Sequence, residues 1–201
     1  TGKLDGFNQE MMLRIISNEE RMVQDEDIVW YNSSKVLTNK GAFNFYITTD
    51  FATGENKKND YSVISVWAYN NNGDWLLVDG ICKRQLMNKN IDDLFSLVTK
   101  YHPQQVGVEV SGQQGGFISW IYDQMMSRNI YFNLASENNN NKPGLRPMTN
   151  KMERFNIVLP LFKTKKIWLP EDKKETELVV ELEEELKYAT PKGFKSKHDD
   201  V

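Results

Sequence analysis

Two strand-like runs joined by a tight turn constrain this chain most. Residues 61–69 and 75–84 are rich in Val, Ile, Trp and Tyr, and Asn70-Asn71-Asn72-Gly73-Asp74 stands between them. Asn, Asp and Gly accept the backbone conformations a hairpin turn needs, so the two runs are predicted to pair antiparallel. Residues 42–49 alternate with a period of two and carry β-branched and aromatic side chains, which predicts a strand before them. The three strands make an antiparallel meander.

The remainder alternates. A helix is predicted from Asn90, read as its N-cap with Asp92 and Asp93 in the first turn, to Tyr101, where His102-Pro103 stops it. Residues 105–110 read as a buried parallel strand, apolar on both faces apart from Glu109. A glycine-containing turn, 111–116, leads into a helix over 117–128, and 130–134 reads as a fifth strand. A helix over 150–163 must be shortened or kinked by Pro160. Ile167-Trp168-Leu169-Pro170 is a brief extended piece. Residues 176–188 form a charged amphipathic helix with Leu178, Leu182 and Leu186 on one side. Three strands, then helix, strand, helix, strand and further helices is the ribonuclease H topology, an α/β fold with a mixed sheet flanked by helices. It occupies residues 41–201. Residues 1–40, with an amphipathic stretch at 8–23 and the acidic Asp25-Glu26-Asp27, read as a linker or packing arm.

The 201 residues are 39% hydrophobic and 11% aromatic, enough for a real core and against global disorder. The single cysteine, Cys82, excludes an internal disulfide framework and a cysteine-rich zinc site, and fits a reducing compartment. No apolar run approaches the roughly 20 residues of a membrane helix, so no membrane partner is expected. The chain opens at Thr1-Gly2-Lys3 without an initiator Met, and a piece of something longer is expected.

Three groups of acids stand where chemistry would use them. Asp50 ends the first strand, Glu109 ends the fourth, and His198-Asp199-Asp200 follows the last helix. In this topology strands one and four are neighbours, so Asp50 and Glu109 should lie side by side. Converging carboxylates repel one another unless a hard divalent cation lies between them, and Mg²⁺ or Mn²⁺ suits oxygen ligands. A pair of such ions about 4 Å apart is the device of two-metal phosphoryl chemistry. Asp50 would bridge both ions; Glu109 and one of Asp199 and Asp200 would complete one site each. Asp60 is either an auxiliary ligand or a turn residue, and His198 a base, a ligand, a DNA contact or none of these. A basic stretch including Arg146, Lys151 and Arg154, and a second one with Lys195 and Lys197, suit the phosphates of a polyanion despite the net charge of -3. No GxxxxGK[ST] pattern occurs, so the chain carries no ATP-binding P-loop.

Thr48-Thr49-Asp50, Asp60-Tyr61-Ser62-Val63-Ile64, Val108-Glu109-Val110-Ser111, Asn150-Lys151-Met152-Glu153-Arg154, Ile167-Trp168-Leu169-Pro170 and His198-Asp199-Asp200, in this order, resemble the C-terminal nuclease domain of tailed-bacteriophage terminase large subunits. The resemblance spans residues 41–201. It implies a ribonuclease H-like endonuclease that cuts concatemeric viral double-stranded DNA during genome packaging, in the host cell cytoplasm. It also implies an ATPase motor in the same full-length chain, a small terminase subunit and a portal protein as partners. The catalytic acids carry over by motif to Asp50, Glu109 and one or both of Asp199 and Asp200. Two rival readings remain: another ribonuclease H-like nuclease (a Holliday-junction resolvase, transposase or ribonuclease H), and a DNA-binding module without catalysis.

Overall fold

The structure, a computed structural model, describes residues 20–52, 61–110 and 115–196. Asp60, Lys197, His198, Asp199 and Asp200 lie outside the described residues, as does most of the predicted amphipathic stretch 8–23. The elements run β1 (Val29–Tyr31), α1 (Ser34–Thr38), β2 (Asn44–Asp50), β3 (Ser62–Tyr69), β4 (Trp75–Lys83), α2 (Met87–Tyr101), β5 (Gln105–Val108), α3 (Gly115–Arg128), β6 (Ser136–Glu137), β7 (Gly144–Leu145), α4 (Lys151–Lys163), β8 (Ile167–Pro170), α5 (Glu177–Tyr188), β9 (Ala189–Thr190) and β10 (Gly193–Phe194). The main sheet has six strands in the order β1-β8-β4-β3-β2-β5. The meander β2-β3-β4 is antiparallel, while β5 joins β2, β8 joins β4 and β1 joins β8 in parallel. This is the mixed, helix-flanked sheet expected. No described helix is long and apolar enough to cross a membrane.

The hairpin turn closes as its composition predicts. The Asn70 side-chain carbonyl accepts the backbone N–H groups of Asn72 and Asp74, and Gly73 sits at φ +80°. Strand alternation then sorts the side chains onto two faces. Phe45 and Ile47 of β2, Val106 and Val108 of β5, and Leu94, Phe95, Val98, Ile121 and Met125 of α2 and α3 form one core. Val63, Leu77 and Leu169 meet Phe162 of α4 and Leu178, Val179 and Leu186 of α5 in a second core across the sheet.

Two local readings change, those of 130–134 and of Asn90. Residues 130–134 form no full strand: the chain runs beside β5, where the Val106 N–H donates to Asn133 O and the Ala135 N–H to Val106 O, and only Leu134 makes a bridge. Asn90 is no N-cap; α2 begins at Met87, and the buried Asn90 amide donates to Ser62 Oγ at 2.8 Å. Pro160 does not shorten α4, which continues to Lys163. Of residues 1–40, the described part is built into the domain. There β1 extends the sheet, Val23 and Val36 are fully buried, and the Tyr31 hydroxyl donates to Leu77 O at 2.6 Å.

An irregularity in β4 ties several elements together. The register with β3 shifts between Val66 and Trp67, opposite Asp79 and Leu77. Asp79 there accepts from Lys100 Nζ (2.7 Å), the Tyr101 hydroxyl (2.6 Å) and Lys173 Nζ (2.9 Å), joining β4 to the end of α2 and to the connection between β8 and α5. Burial alone would raise the Asp79 pKa, but the hydrogen bonds from Lys100, Tyr101 and Lys173 outweigh it and hold the group at about 2. The same burial and the Asp79 carboxylate push the Tyr101 hydroxyl well above its ordinary range. Next along, Gly80 allows α5 to approach, since a Cβ there would lie 2.4 Å from both Ile64 O and Leu178 Cδ2.

Two predictions follow from this joint. Gly80→Ala should lower stability by about 1–3 kcal/mol through overpacking, read as a lower urea midpoint. Asp79 has a lower pKa folded than unfolded, so its contribution is complete above about pH 4 and is lost as pH falls towards 2. Acid titrations of the parent and Asp79→Asn chains should therefore converge across that window by about 2 kcal/mol.

Candidate active site

Asp50 is the last residue of β2, and Glu109 follows directly on β5. The parallel register sets Thr48 opposite Gly107 and Thr49 opposite Val108, so Asp50 and Glu109 are the next pair in step. The Glu109 N–H donates to Thr49 O at 3.1 Å, continuing the ladder past the strand end. Side chains alternate, so Val106, Val108 and Val110 turn away from Glu109. Glu109 is thus not a carboxylate among valines, as 105–110 suggested. It shares a face with Gly107, Thr48 and Asp50, under α4 and α5, and these residues line one cleft of about 360 Å³.

The cleft floor is polar near the acids. Thr48 Oγ1 and Ser65 Oγ are 2.6 Å apart, and Trp67 Nε1 donates to Ser65 Oγ at 2.8 Å. The roof begins with α4, whose N-cap is well formed: Asn150 Oδ1 accepts the Glu153 N–H at 2.9 Å, and Asn150 Nδ2 donates to Glu153 Oε1 at 2.8 Å. That cap starts the helix so that Lys151 and Arg154, three residues apart, both reach the cleft. Arg154 Nη1 donates to Glu109 Oε2 at 3.2 Å. Lys151 Nζ lies 5.5 Å from the centre of the Phe194 ring, and Phe194 packs edge-on against Phe155, ring centroids 5.3 Å apart. The short β9–β10 hairpin therefore closes the cleft beside α4.

No sequence-family model and no curated protein matches the chain. Solved structures do resemble it. The human cytomegalovirus terminase nuclease domain superposes with a TM-score of 0.62 at 13% identity, covering 89% of this chain and 89% of that one. The chain has the fold of a terminase nuclease domain. A manganese-soaked, inhibitor-bound structure of the cytomegalovirus domain gives 0.56 at 12% identity, over 83% of this chain and 87% of that one. The large terminase nuclease of thermophilic phage G20c with bound magnesium gives 0.48 at 19% identity, over 79% and 76%.

In this terminase-nuclease fold the described donors suit a hard cation in kind, being two carboxylates from adjacent strands opening on one cleft. Among the described residues no three His, Cys, Asp or Glu side chains come close enough together to hold an ion; two carboxylates, with water completing the shell, are a usual set for Mg²⁺. Of the predicted phosphate contacts, Lys151 and Arg154 line the cleft and Arg146 does not. Lys195 is exposed beside the cleft residue Phe194, with its Nζ 3.9 Å from Glu20 Oε2.

Sequence reasoning missed Glu185. It lines the cleft from α5 and is only 4% exposed. Its signal was present: 178, 182, 185 and 186 follow the spacing of one helix face, and a glutamate on the leucine face of an otherwise acidic helix should have stood out.

Proposed function

We propose that this chain is a metal-dependent DNA endonuclease that cuts viral DNA during genome packaging. The observation that carries the reading is the pairing of Asp50 and Glu109 at the head of a cleft whose opposite wall bears Lys151 and Arg154, in a terminase-nuclease fold. Carboxylates on one wall and cations on the other suit a phosphodiester that must be gripped by its oxygens and approached by water at phosphorus.

Asp50, Glu109 and one or both of Asp199 and Asp200 would hold two Mg²⁺ or Mn²⁺ ions, which when bound lower the pKa of water and offset the charge that builds on the phosphate. The manganese-soaked structure of the similarly folded cytomegalovirus domain supports that choice. Lys151 and Arg154 hold the scissile phosphate against the acids, while Lys195, Lys197 and Arg146 guide the flanking backbone without reading sequence. His198 and Asp60 are auxiliary to this set. The buried Glu185 adds a third carboxyl to the cleft lining, beside the apolar Phe162, Ile167 and Leu186. The likeness to terminase nuclease domains supports a DNA substrate; the wider setting we propose is an ATPase motor in the full-length protein, a small terminase subunit and a portal as partners, and action on double-stranded DNA in the host cell cytoplasm.

Incubation with supercoiled plasmid in Mn²⁺, Mg²⁺ or EDTA tests the reading. Nicking or linearisation should require the metal. Asp50→Asn should reduce it by about a hundredfold or more while leaving gel-shift binding of a DNA duplex in EDTA intact. Cleavage that persists in Asp50→Asn would remove that residue from the chemistry; binding with no cleavage in any metal would favour a DNA-binding module.

A further inference from the structure

Arg154 stands where a cation is wanted. Its Nη1 donates to Glu109 Oε2 at 3.2 Å, so a guanidinium already neutralises one of the two paired carboxylates. Its Nε is buried and has no hydrogen-bond partner among the described residues. A guanidinium presents its donors as a planar fork, and the contact with Glu109 leaves the inner donor unsatisfied. A buried donor without an acceptor is costly, so this arrangement is not the best one open to the side chain. It is also within reach of water: the Arg154 and Glu109 side chains are 43% and 27% exposed. A pair this accessible is weak and can exchange partners without unfolding the domain.

A divalent cation entering beside Asp50 would need the Glu109 oxygens, and two positive charges within a few ångströms repel. Resting on the metal-nuclease reading above, we propose that Arg154 is a displaceable counter-ion of Glu109, handed over to the substrate when the metal binds. The cation takes Glu109, and the freed guanidinium turns its Nε and one terminal N–H to two oxygens of a DNA backbone phosphate. The side-on, two-bond grip of arginine on phosphate satisfies the donor that Glu109 leaves open. Lys151, on the same wall, supplies a point charge and cannot make that fork. In the absence of metal the bridge keeps Glu109 neutralised and Arg154 away from DNA; with metal, both sites open together. Linkage makes the effect reciprocal: metal strengthens DNA binding as much as DNA strengthens metal binding.

Mn²⁺ binding without DNA, measured by isothermal titration calorimetry on the parent, Arg154→Met and Glu109→Gln chains, tests the first half. Removing a surface-type competitor should make Mn²⁺ bind about two- to fivefold tighter in Arg154→Met, whereas Glu109→Gln should weaken it by about tenfold or more. Equal or weaker binding in Arg154→Met, with the Glu109→Gln loss intact, overturns the counter-ion role and leaves the metal site standing. No binding by the parent, or binding that Glu109→Gln does not weaken, overturns both. The second half is read from the affinity of a short DNA duplex with and without Ca²⁺, a hard oxygen-seeking cation. The parent should gain affinity with Ca²⁺ and Arg154→Met should lose most of that gain. An equal gain in both chains overturns the transfer to phosphate.

Discussion

Everything at the cleft hangs on one register, the parallel pairing of β2 with β5. Thr49 lies opposite Val108, and one step further, at the two strand tips, Asp50 and Glu109 come side by side. A slip by one residue would turn one of the two carboxylates to the opposite face. The core guards against that slip. Phe45, Ile47, Val106 and Val108 are all buried under α2 and α3, so exposing them to move a carboxylate would cost several side chains' worth of apolar burial. The hydrophobic face thus positions the polar one.

The other wall is set by different means. A capped α4 start brings Lys151 and Arg154 to the acids, and α5 lies close on the sheet because Gly80 has no side chain in the way. Asp79, held ionised by Lys100, Tyr101 and Lys173, anchors β4, the end of α2 and the approach to α5. A carboxylate with three donors is fully satisfied, in contrast to Arg154, whose buried Nε has none among the described residues. Polar groups are satisfied at the Asp79 joint of the scaffold, and one donor is left open at the cleft.

Much of the scaffold was legible along the chain. The Asn-Gly turn, the alternation of the meander and the strand predicted at 105–110 each carry a local signal of turn chemistry or periodicity, and each element formed, the last over 105–108. Residues 130–134 carried the same apolar signal, yet the chain there makes only two backbone hydrogen bonds to Val106 and a single bridge at Leu134. Pairing is a property of two segments, and periodicity reports on one. Asn90 looked like a cap because it is a good capping residue, but burial against Ser62 recruited its amide instead. At the cleft, the adjacency of Asp50 and Glu109 was readable from strand order, and the place of Glu185 on the leucine face of α5 from helical spacing, though not what that face packs against.

By itself the sequence determined which segments extend and which coil, where the turns fall, and which residues bring charge to strand tips and helix starts, because these depend on steric preference and on spacing along one chain. Only the tertiary structure decided that Glu109 meets Arg154 rather than valines, that β1 closes the sheet against β8, and that Glu185 points into the cleft. Those facts depend on which faces are pressed together, and the energy of burying a face is settled between elements far apart in the chain.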